Sequence, residues 1–323
     1  MLVTGATGYI GSQVVYALHR MYGDTLHIRA LVRAGSYLSV LRGLPVEIVQ
    51  GDIMNPVSLL EPFHSAEAVF HCAGLVAYTR NYRHMLHDTN VTGTANVVNV
   101  CLQQGVSRLV LTSSVAAIGV KEKGEPADEE TVFCDWQHRI AYMESKRLAE
   151  MEGERGIAEG LDVVMVNPGV VIGRGDNSLA VNSATEAITG IYQGKIPLYP
   201  AGGLSLVDVL DVARAHIEVW RKGNTGERYI VVSENRSYRE LFAMIREMSG
   251  SKKGFTVSAG KPLYGIAGAG GELFALLTRR RPYISLESMQ LAKRSLYYSN
   301  RKSVDDLGMT YRPVQEIIES IVG

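Results

Sequence analysis

The chain opens on a short apolar run, Leu2-Val3-Thr4, followed by a glycine cluster and then apolar positions at Ile10, Val14, Val15 and Leu18 with helical spacing. Compact apolar runs recur at HIRALV (27–32), VEIVQ (46–50), AVFHCA (68–73), RLVLTSS (108–114) and DVVMVNP (162–168). Between the later runs, 91–103 and 138–157 carry helical patterns. Strands alternating with helices predict βαβ units and a parallel sheet. The runs lack clean polar alternation, which predicts strands buried on both faces.

After Pro168 the rhythm loosens, and 173–206 is rich in Gly, Pro and Asn. VDVLDVARAHIEVWRKG (207–223) reads as a helix, GERYIVV (226–232) as a strand and SYRELFAMIREMSG (237–250) as another helix. The last 70 residues read as mostly helical, with Arg312-Pro313 ahead of a final short helix. The predicted fold is α/β: a doubly wound parallel sheet of Rossmann type with a smaller, mainly helical C-terminal substrate domain. Residues 1–167 plus about 207–233 form the nucleotide-binding domain of this reading, and about 168–206 and 234–323 the substrate-binding domain.

Composition narrows the partners. Lys+Arg and Asp+Glu both number 33, so there is no net positive footprint for nucleic acid. Cys72, Cys101 and Cys134 are sparse and lack metal-ligand spacing, which predicts reduced thiols in a cytoplasmic protein and no metal. The start shows no basic n-region with an apolar h-region, so no signal peptide is expected. The longest apolar stretch, LYGIAGAGGELFALLT (263–278), is broken by Glu272 and four glycines and followed by Arg279-Arg280-Arg281. It reads as a substrate-domain helix with a solvated basic end, and membrane association is not expected.

Chemistry enters at TGATGYIG (4–11). Gly5 permits a tight turn, Gly8 lets the backbone approach a pyrophosphate, and Gly11 allows close helix–strand packing. Thr7, Tyr9 and Ile10 complete the turn, and the helix start offers unpaired N–H groups to phosphate. The second strand ends Leu31-Val32-Arg33 with no carboxylate for a ribose 2′-hydroxyl. A cation there suits a 2′-phosphate, so NADP(H) is favoured over NAD(H). Asp52, followed by Ile53, stands after the third strand, either to accept from an adenine amino group or as a loop or cap residue. His71 reads as a satisfied core histidine and Asp211 as structural. In YMESK (142–146), Tyr142 and Lys146 lie one helical turn apart on one face. A free phenol titrates near 10, too high for proton transfer at neutral pH, and a nearby ammonium lowers it.

TGATGYIG, GDI (51–53), HCAG (71–74), NVTGT (90–94), LTSS (111–114), YMESK and NPG (167–169) come in order, and VDVLDVARAH (207–216) and GERYIV (226–231) extend the match over nearly the whole chain. Together they resemble the extended short-chain dehydrogenase/reductase superfamily, in its dihydroflavonol 4-reductase-like branch within the NAD-dependent epimerase/dehydratase family. The resemblance implies an NADPH-dependent reductase, run reversibly, of a ketone or aldehyde on a small, moderately apolar substrate. Tyr142 would be the proton donor, Lys146 would tune it and bind the nicotinamide ribose, and Ser114, or the adjacent Ser113, would donate to the substrate oxygen. Asn90 matches the active-site helix asparagine, which holds a water or a backbone group; a helix cap is its other reading. Ala73 and Gly74 would pass the adenosine and ribose, and Pro168, Gly169 and Val170 the nicotinamide. Leu75, Val76 and Tyr78, with Ser114 and Tyr142, would face the substrate between 75–80, the segment after Gly173 and the C-terminal helices. A homodimer through 91–103 and 138–157 is a further implication. The alternatives are a nucleotide-sugar epimerase/dehydratase with tightly bound NAD, a hydroxysteroid dehydrogenase/isomerase-like enzyme, and a non-catalytic cofactor sensor. The missing carboxylate after the second strand counts against the first of these, and retention of Ser114, Tyr142 and Lys146 against the last.

Overall fold

The structure is a computed structural model, and it describes residues 1–121, 124–176, 182–250, 257–258 and 285–323. Strands β1 (Leu2–Thr4), β2 (Arg29–Val32), β3 (Glu47–Gln50), β4 (Ala68–His71), β5 (Arg108–Thr112) and β6 (Val163–Pro168) fall within the apolar runs of the first half. They are followed by β7 (Val170–Ile172), β8 (Leu198–Tyr199), β9 (Gly203–Asp208), β10 (Arg228–Val231), β11 (Glu234–Ser237), β12 (Val257–Ser258) and β13 (Ser295–Leu296). A seven-stranded sheet runs β10-β6-β5-β4-β1-β2-β3, with every pairing parallel. Strand order reverses between β1 and β4, and that switch point is where a ligand crevice opens in such sheets.

The helices of the first 250 residues are α1 (Tyr9–Tyr22), α2 (Leu60–Phe63), α3 (Arg83–Leu86), α4 (Gly93–Gln104), α5 (Ala141–Ala158), α6 (Ser183–Tyr192), α7 (Val209–Lys222) and α8 (Tyr238–Met248). One face of the sheet packs Val14, Val15 and Leu18 of α1 against Val212, Ala215 and Val219 of α7, in one core with Val3 and Phe70. The other face packs Val97, Val98 and Cys101 of α4 with Leu109, Leu111 and Met165. Gly153 and Gly156 let α5 come close: a Cβ on Gly156 would stand 2.8 Å from Val98 Cγ1.

Three expectations change. Val207 and Asp208 end strand β9, and α7 begins only at Val209. The Asp208 carboxylate accepts from Leu210 N at 3.1 Å, so this residue closes the strand and caps the helix at once. VEIVQ is not buried on both faces: β3 is the sheet edge, with Glu47 and Ile48 exposed. The C-terminal part contributes strand as well as helix, because β9 pairs with β7, β11 and β13 in a second, smaller sheet. The stretch 263–278 and its basic flank lie outside the described residues. Among the described residues no helix is long and apolar enough to cross a membrane. On the outward faces of α4 and α5, Met151 is the one exposed large apolar side chain, beside the Arg155 ion pairs with Glu152 and Glu159.

Candidate active site

The turn after β1 is built by close backbone approach. Gly5 has φ +65°, in the left-handed region that favours glycine. A Cβ there would lie 2.6 Å from Ala73 N, and one on Gly11 would lie 2.2 Å from Gly5 O. Gly8 N donates to Gly5 O at 2.8 Å, and Ser12 N to Gly8 O at 3.0 Å. Gly8 is exposed at the N-cap of α1, without a side-chain cap and without an acidic residue in the first turn. This leaves a positive helix end open to an anion. Ala73 N donates to Thr4 Oγ1 at 3.2 Å, which fixes the facing end of β4. Thr7 and Ile10 are half-buried around the same turn.

Tyr9 has a role the sequence reading missed. Its hydroxyl donates to Gly173 O at 2.8 Å, so the side chain ties the phosphate-type turn to the segment beyond β7. Gln13, one turn along, accepts from Asp176 N at 2.8 Å on the same segment. The spacing of Tyr9 and Gln13 at i and i+4 was a visible signal that both face one partner.

At the end of β2, Arg33 is exposed, and among the described residues its guanidinium has no ion-pair partner. Asp52 Oδ1 accepts from Met54 N at 2.9 Å, and Ser58 Oγ accepts from Asp52 N at 2.9 Å, which makes Asp52 at least a turn residue. Ile53 is buried against Gly93, and its carbonyl accepts from Asn96 Nδ2 at 2.8 Å.

The second half of the site gathers at the ends of β4, β5 and β6. Tyr142 lies in the first turn of α5, only 6% exposed, among Leu86, Ala141, Leu75, Ala77, Tyr78 and Ala116. The rings of Tyr78 and Tyr142 meet edge to face, with centroids 5.2 Å apart. Burial pushes the Tyr142 phenol up from its ordinary value, and a hydrogen bond with Ser114 pulls it part of the way back. Ser114 Oγ also accepts from Ala116 N at 3.1 Å. Ser113 points elsewhere, donating to Glu150 Oε1 at 2.6 Å. The Lys146 ammonium donates to Thr112 O at 3.0 Å. Burial pulls it down to about 8, against the opposing charge of Glu150. In this arrangement Ser114, rather than Lys146, offsets the burial of Tyr142.

Asn90 is no helix cap. It lies in a π-helical segment, His87–Thr92, and is 2% exposed. Its Oδ1 accepts from Leu75 N at 2.7 Å, and its Nδ2 donates to Leu75 O at 2.9 Å and to Ser145 Oγ at 2.9 Å. Asn90 therefore fixes both backbone groups of Leu75 and a hydroxyl of α5 together. Gly74 beside it is exposed, and a Cβ there would stand 3.3 Å from Asn90 Oδ1 and 3.5 Å from Lys146 Nζ. Pro168 ends β6, and a Cβ on Gly169 would lie 2.7 Å from Ser205 O. Val170 opens β7 and is exposed. The Tyr78 carbonyl accepts from Ser285 Oγ, which stands at the head of the helix Leu286–Ala292. Asp211 accepts from Arg312 N at 2.9 Å and pairs with Arg214, away from the site.

Two buried histidines frame the sheet end. His71 lies between Thr4 Oγ1 (2.7 Å) and Thr94 Oγ1 (3.1 Å), and His216 between Thr112 Oγ1 (2.7 Å) and Val212 O (2.7 Å). Burial lowers them to about 3 and about 4. Both bind protons in the unfolded chain near 6.5, while the fold keeps them neutral. Stability is therefore full above 6.5 and falls on acidification, by about 1.4 kcal/mol per imidazole per pH unit. Urea unfolding at pH 7 and pH 5 checks this; equal stabilities at the two pH values refute it, and His216→Gln should flatten the slope.

The fit to a dinucleotide rests on three observations: the uncapped N-terminus of α1 at exposed Gly8, the close backbone packing of the turn at Gly5 and Gly11, and exposed Gly74 beside Lys146. Among the described residues no cluster of His, Cys, Asp or Glu could hold a metal ion. A parallel sheet with its crossover at a glycine turn, and a Ser-Tyr-Lys set at the strand ends, defines an extended short-chain dehydrogenase/reductase.

Comparison with known proteins agrees. Residues 1–232 match the NAD dependent epimerase/dehydratase family, and the chain belongs to it. It is 33% identical over 99% of its length to a Synechocystis sp. protein named "Putative dihydroflavonol 4-reductase", covering 92% of that protein. It is 31% identical to cinnamoyl-CoA reductase 1 of Oryza sativa subsp. japonica, over 76% of this chain and 75% of that one. The solved structure of gox2253 superposes with a TM-score of 0.84 at 31% identity, covering 99% of this chain and 96% of that one. The protein is a member of a family of NAD(P)-dependent oxidoreductases, epimerases and dehydratases with reductases among its relatives.

Proposed function

We propose that the protein is an NADPH-dependent reductase of a ketone or aldehyde, and that it also oxidises the corresponding alcohol. The observation that carries the reading is the junction at α5: Tyr142 hydrogen-bonded to Ser114, with the Lys146 ammonium beside the exposed Gly74. A bound nicotinamide cofactor would supply the hydride in reduction and accept it in oxidation. Tyr142 gives its hydroxyl proton to the carbonyl oxygen as charge builds there, and takes it back in the reverse direction. Ser114 donates to the same oxygen and orients it. Lys146 would hold the nicotinamide ribose, and it stands one turn from Tyr142 on α5. Asn90 holds the Leu75 backbone at the floor of the site. Gly5, Thr7, Gly8, Tyr9, Ile10 and Gly11 would hold the pyrophosphate at the open start of α1, Ala73 and Gly74 the adenosine side, and Pro168, Gly169 and Val170 the nicotinamide side.

The apolar surroundings of Tyr142, from Leu75, Ala77, Tyr78 and Leu86, support a small, moderately apolar substrate. A nucleotide-sugar reading gains nothing from Asn167. It is fully buried, with its amide given to Ser114 O at 3.0 Å and Glu150 Oε1 at 2.6 Å.

The test is loss of reduced-nicotinamide absorbance across a panel of aryl and alkyl ketones and aldehydes, with NADPH and NADH compared. Arg33 is free to meet a 2′-phosphate, so NADPH should be preferred. Arg33→Ala should weaken NADPH roughly 10–100-fold, the size of a lost charge-assisted hydrogen bond, and leave NADH unchanged. Tighter binding of NADH by the wild type removes the argument.

A further inference from the structure

Glu150 lies one helical turn beyond Lys146 on α5 and has no exposed surface. A carboxylate so deep in a fold needs partners, and this one has them from four elements. Ser113 Oγ, just beyond the end of β5, donates to Oε1 at 2.6 Å, and Asn167 Nδ2, from β6, donates to the same oxygen at 2.6 Å. Arg147 of α5 and Arg228 of β10 face Oε2 at 3.4 and 3.6 Å. The same Asn167 amide donates to Ser114 O at 3.0 Å. The Ser113–Ser114 segment is therefore held twice, by the hydroxyl of one residue and the carbonyl of the next, and both ties run to Glu150. Ser114 is the residue hydrogen-bonded to Tyr142.

We propose that Glu150 is a positioning residue of the active site, whose carboxylate pins the Ser113–Ser114 segment through Ser113 and Asn167 and balances the charge of the Lys146 ammonium. The proposal rests on the Ser-Tyr-Lys reading above. Its physical basis is that one buried anion serves two needs. Packing alone would not require a charge here, since an apolar side chain fills a core position without the cost of burying an ion. The other groups near Lys146 do not replace it: His71 is kept neutral, and burial pushes the Cys72 thiol up to about 12. Burial of Lys146 disfavours its ammonium, and Glu150 is the opposing charge.

The test separates charge from geometry. In the chain without cofactor, ζ-15N-lysine NMR reads the titration of Lys146, with Lys146→Arg identifying its signal. Glu150→Gln keeps an oxygen acceptor and removes the charge. It should lower the Lys146 midpoint by about one pH unit, so that the ammonium-to-amine ratio near pH 8 falls about tenfold. A midpoint that stays put or rises overturns the charge role. Ser113→Ala keeps the charge and removes one tie, and it is read whether or not Glu150→Gln folds. It should leave the Lys146 midpoint in place and lower kcat about tenfold, with NADPH affinity within about twofold of wild type. A wild-type kcat in Ser113→Ala overturns the pinning role. If no carbonyl compound is turned over by the wild type, the proposed reaction fails, while the NMR titration still decides whether Glu150 sets the charge of Lys146.

Discussion

Tyr142→Phe should cut kcat by about 10²–10⁴-fold, the range of a lost general acid, and leave dinucleotide affinity and the melting temperature near wild type. The ring is what packs: it meets Tyr78 edge to face at 5.2 Å and sits among Leu86 and Ala141. Phe keeps that ring and removes only the hydroxyl. The hydroxyl's partner is Ser114, which still accepts from Ala116 N in the variant. The loss should therefore appear in the chemical step. Stopped-flow oxidation of NADPH with saturating carbonyl substrate, beside a fluorescence titration of the cofactor, separates the two. Robust turnover in the variant removes Tyr142 as the donor. Burial keeps the phenol protonated well above neutral pH. Reduction should then be limited at high pH first by Lys146, whose ammonium is lost around 8.

The second large effect belongs to Gly11→Ala. The added Cβ would fall 2.2 Å from Gly5 O and 3.2 Å from Cys72 Cβ. Neither neighbour can yield cheaply: Gly5 is already pressed against Ala73, and Cys72 packs in the main core. Relief must come by lifting the start of α1 off β1, which is also the surface proposed for the pyrophosphate. Overpacking of this kind costs about 1–3 kcal/mol, and dinucleotide affinity should fall at least about tenfold with it. Urea unfolding and the cofactor titration are the two measurements. Wild-type values in both would show that the turn has more slack than its geometry allows. A matching change at Gly105, where φ is +66° and nothing lies within 4 Å of a Cβ, should leave the cofactor titration alone.

The parallel sheet, the glycine turn and the α5 pair were legible because each is written in contiguous residues. Six apolar runs became six strands in sequence order, and Tyr142 and Lys146 lie on one helix as their spacing required. What escaped is what depends on residues far apart. Val207-Asp208 follows the helical spacing of VDVLDVARAH, yet pairing with Val171 and Ile172 draws it into a strand. VEIVQ is apolar enough for the middle of a sheet, and only strand order shows that it is the edge. LTSS favours Ser114 but leaves Ser113 as the alternative; a carboxylate 37 positions on takes Ser113 and leaves Ser114 beside Tyr142. Glu150 itself stood at i+4 from Lys146, and that spacing was the available signal for a charge on the same face.

The π-helical segment at His87–Thr92 gives the site an unusual dependence on chain length. A π turn holds one more residue than the α turns on either side. Winding His87–Thr92 into regular α turns with its residue count unchanged would join α3 and α4 with one residue too many between them. That would turn everything upstream by about 100°, since an α-helix has 3.6 residues per turn. Leu86, fully buried beside Tyr142, would rotate out of its cluster, and the Leu75 strap that Asn90 holds by two hydrogen bonds would lose its register. Here the count of residues, as much as their identity, holds the candidate site in register.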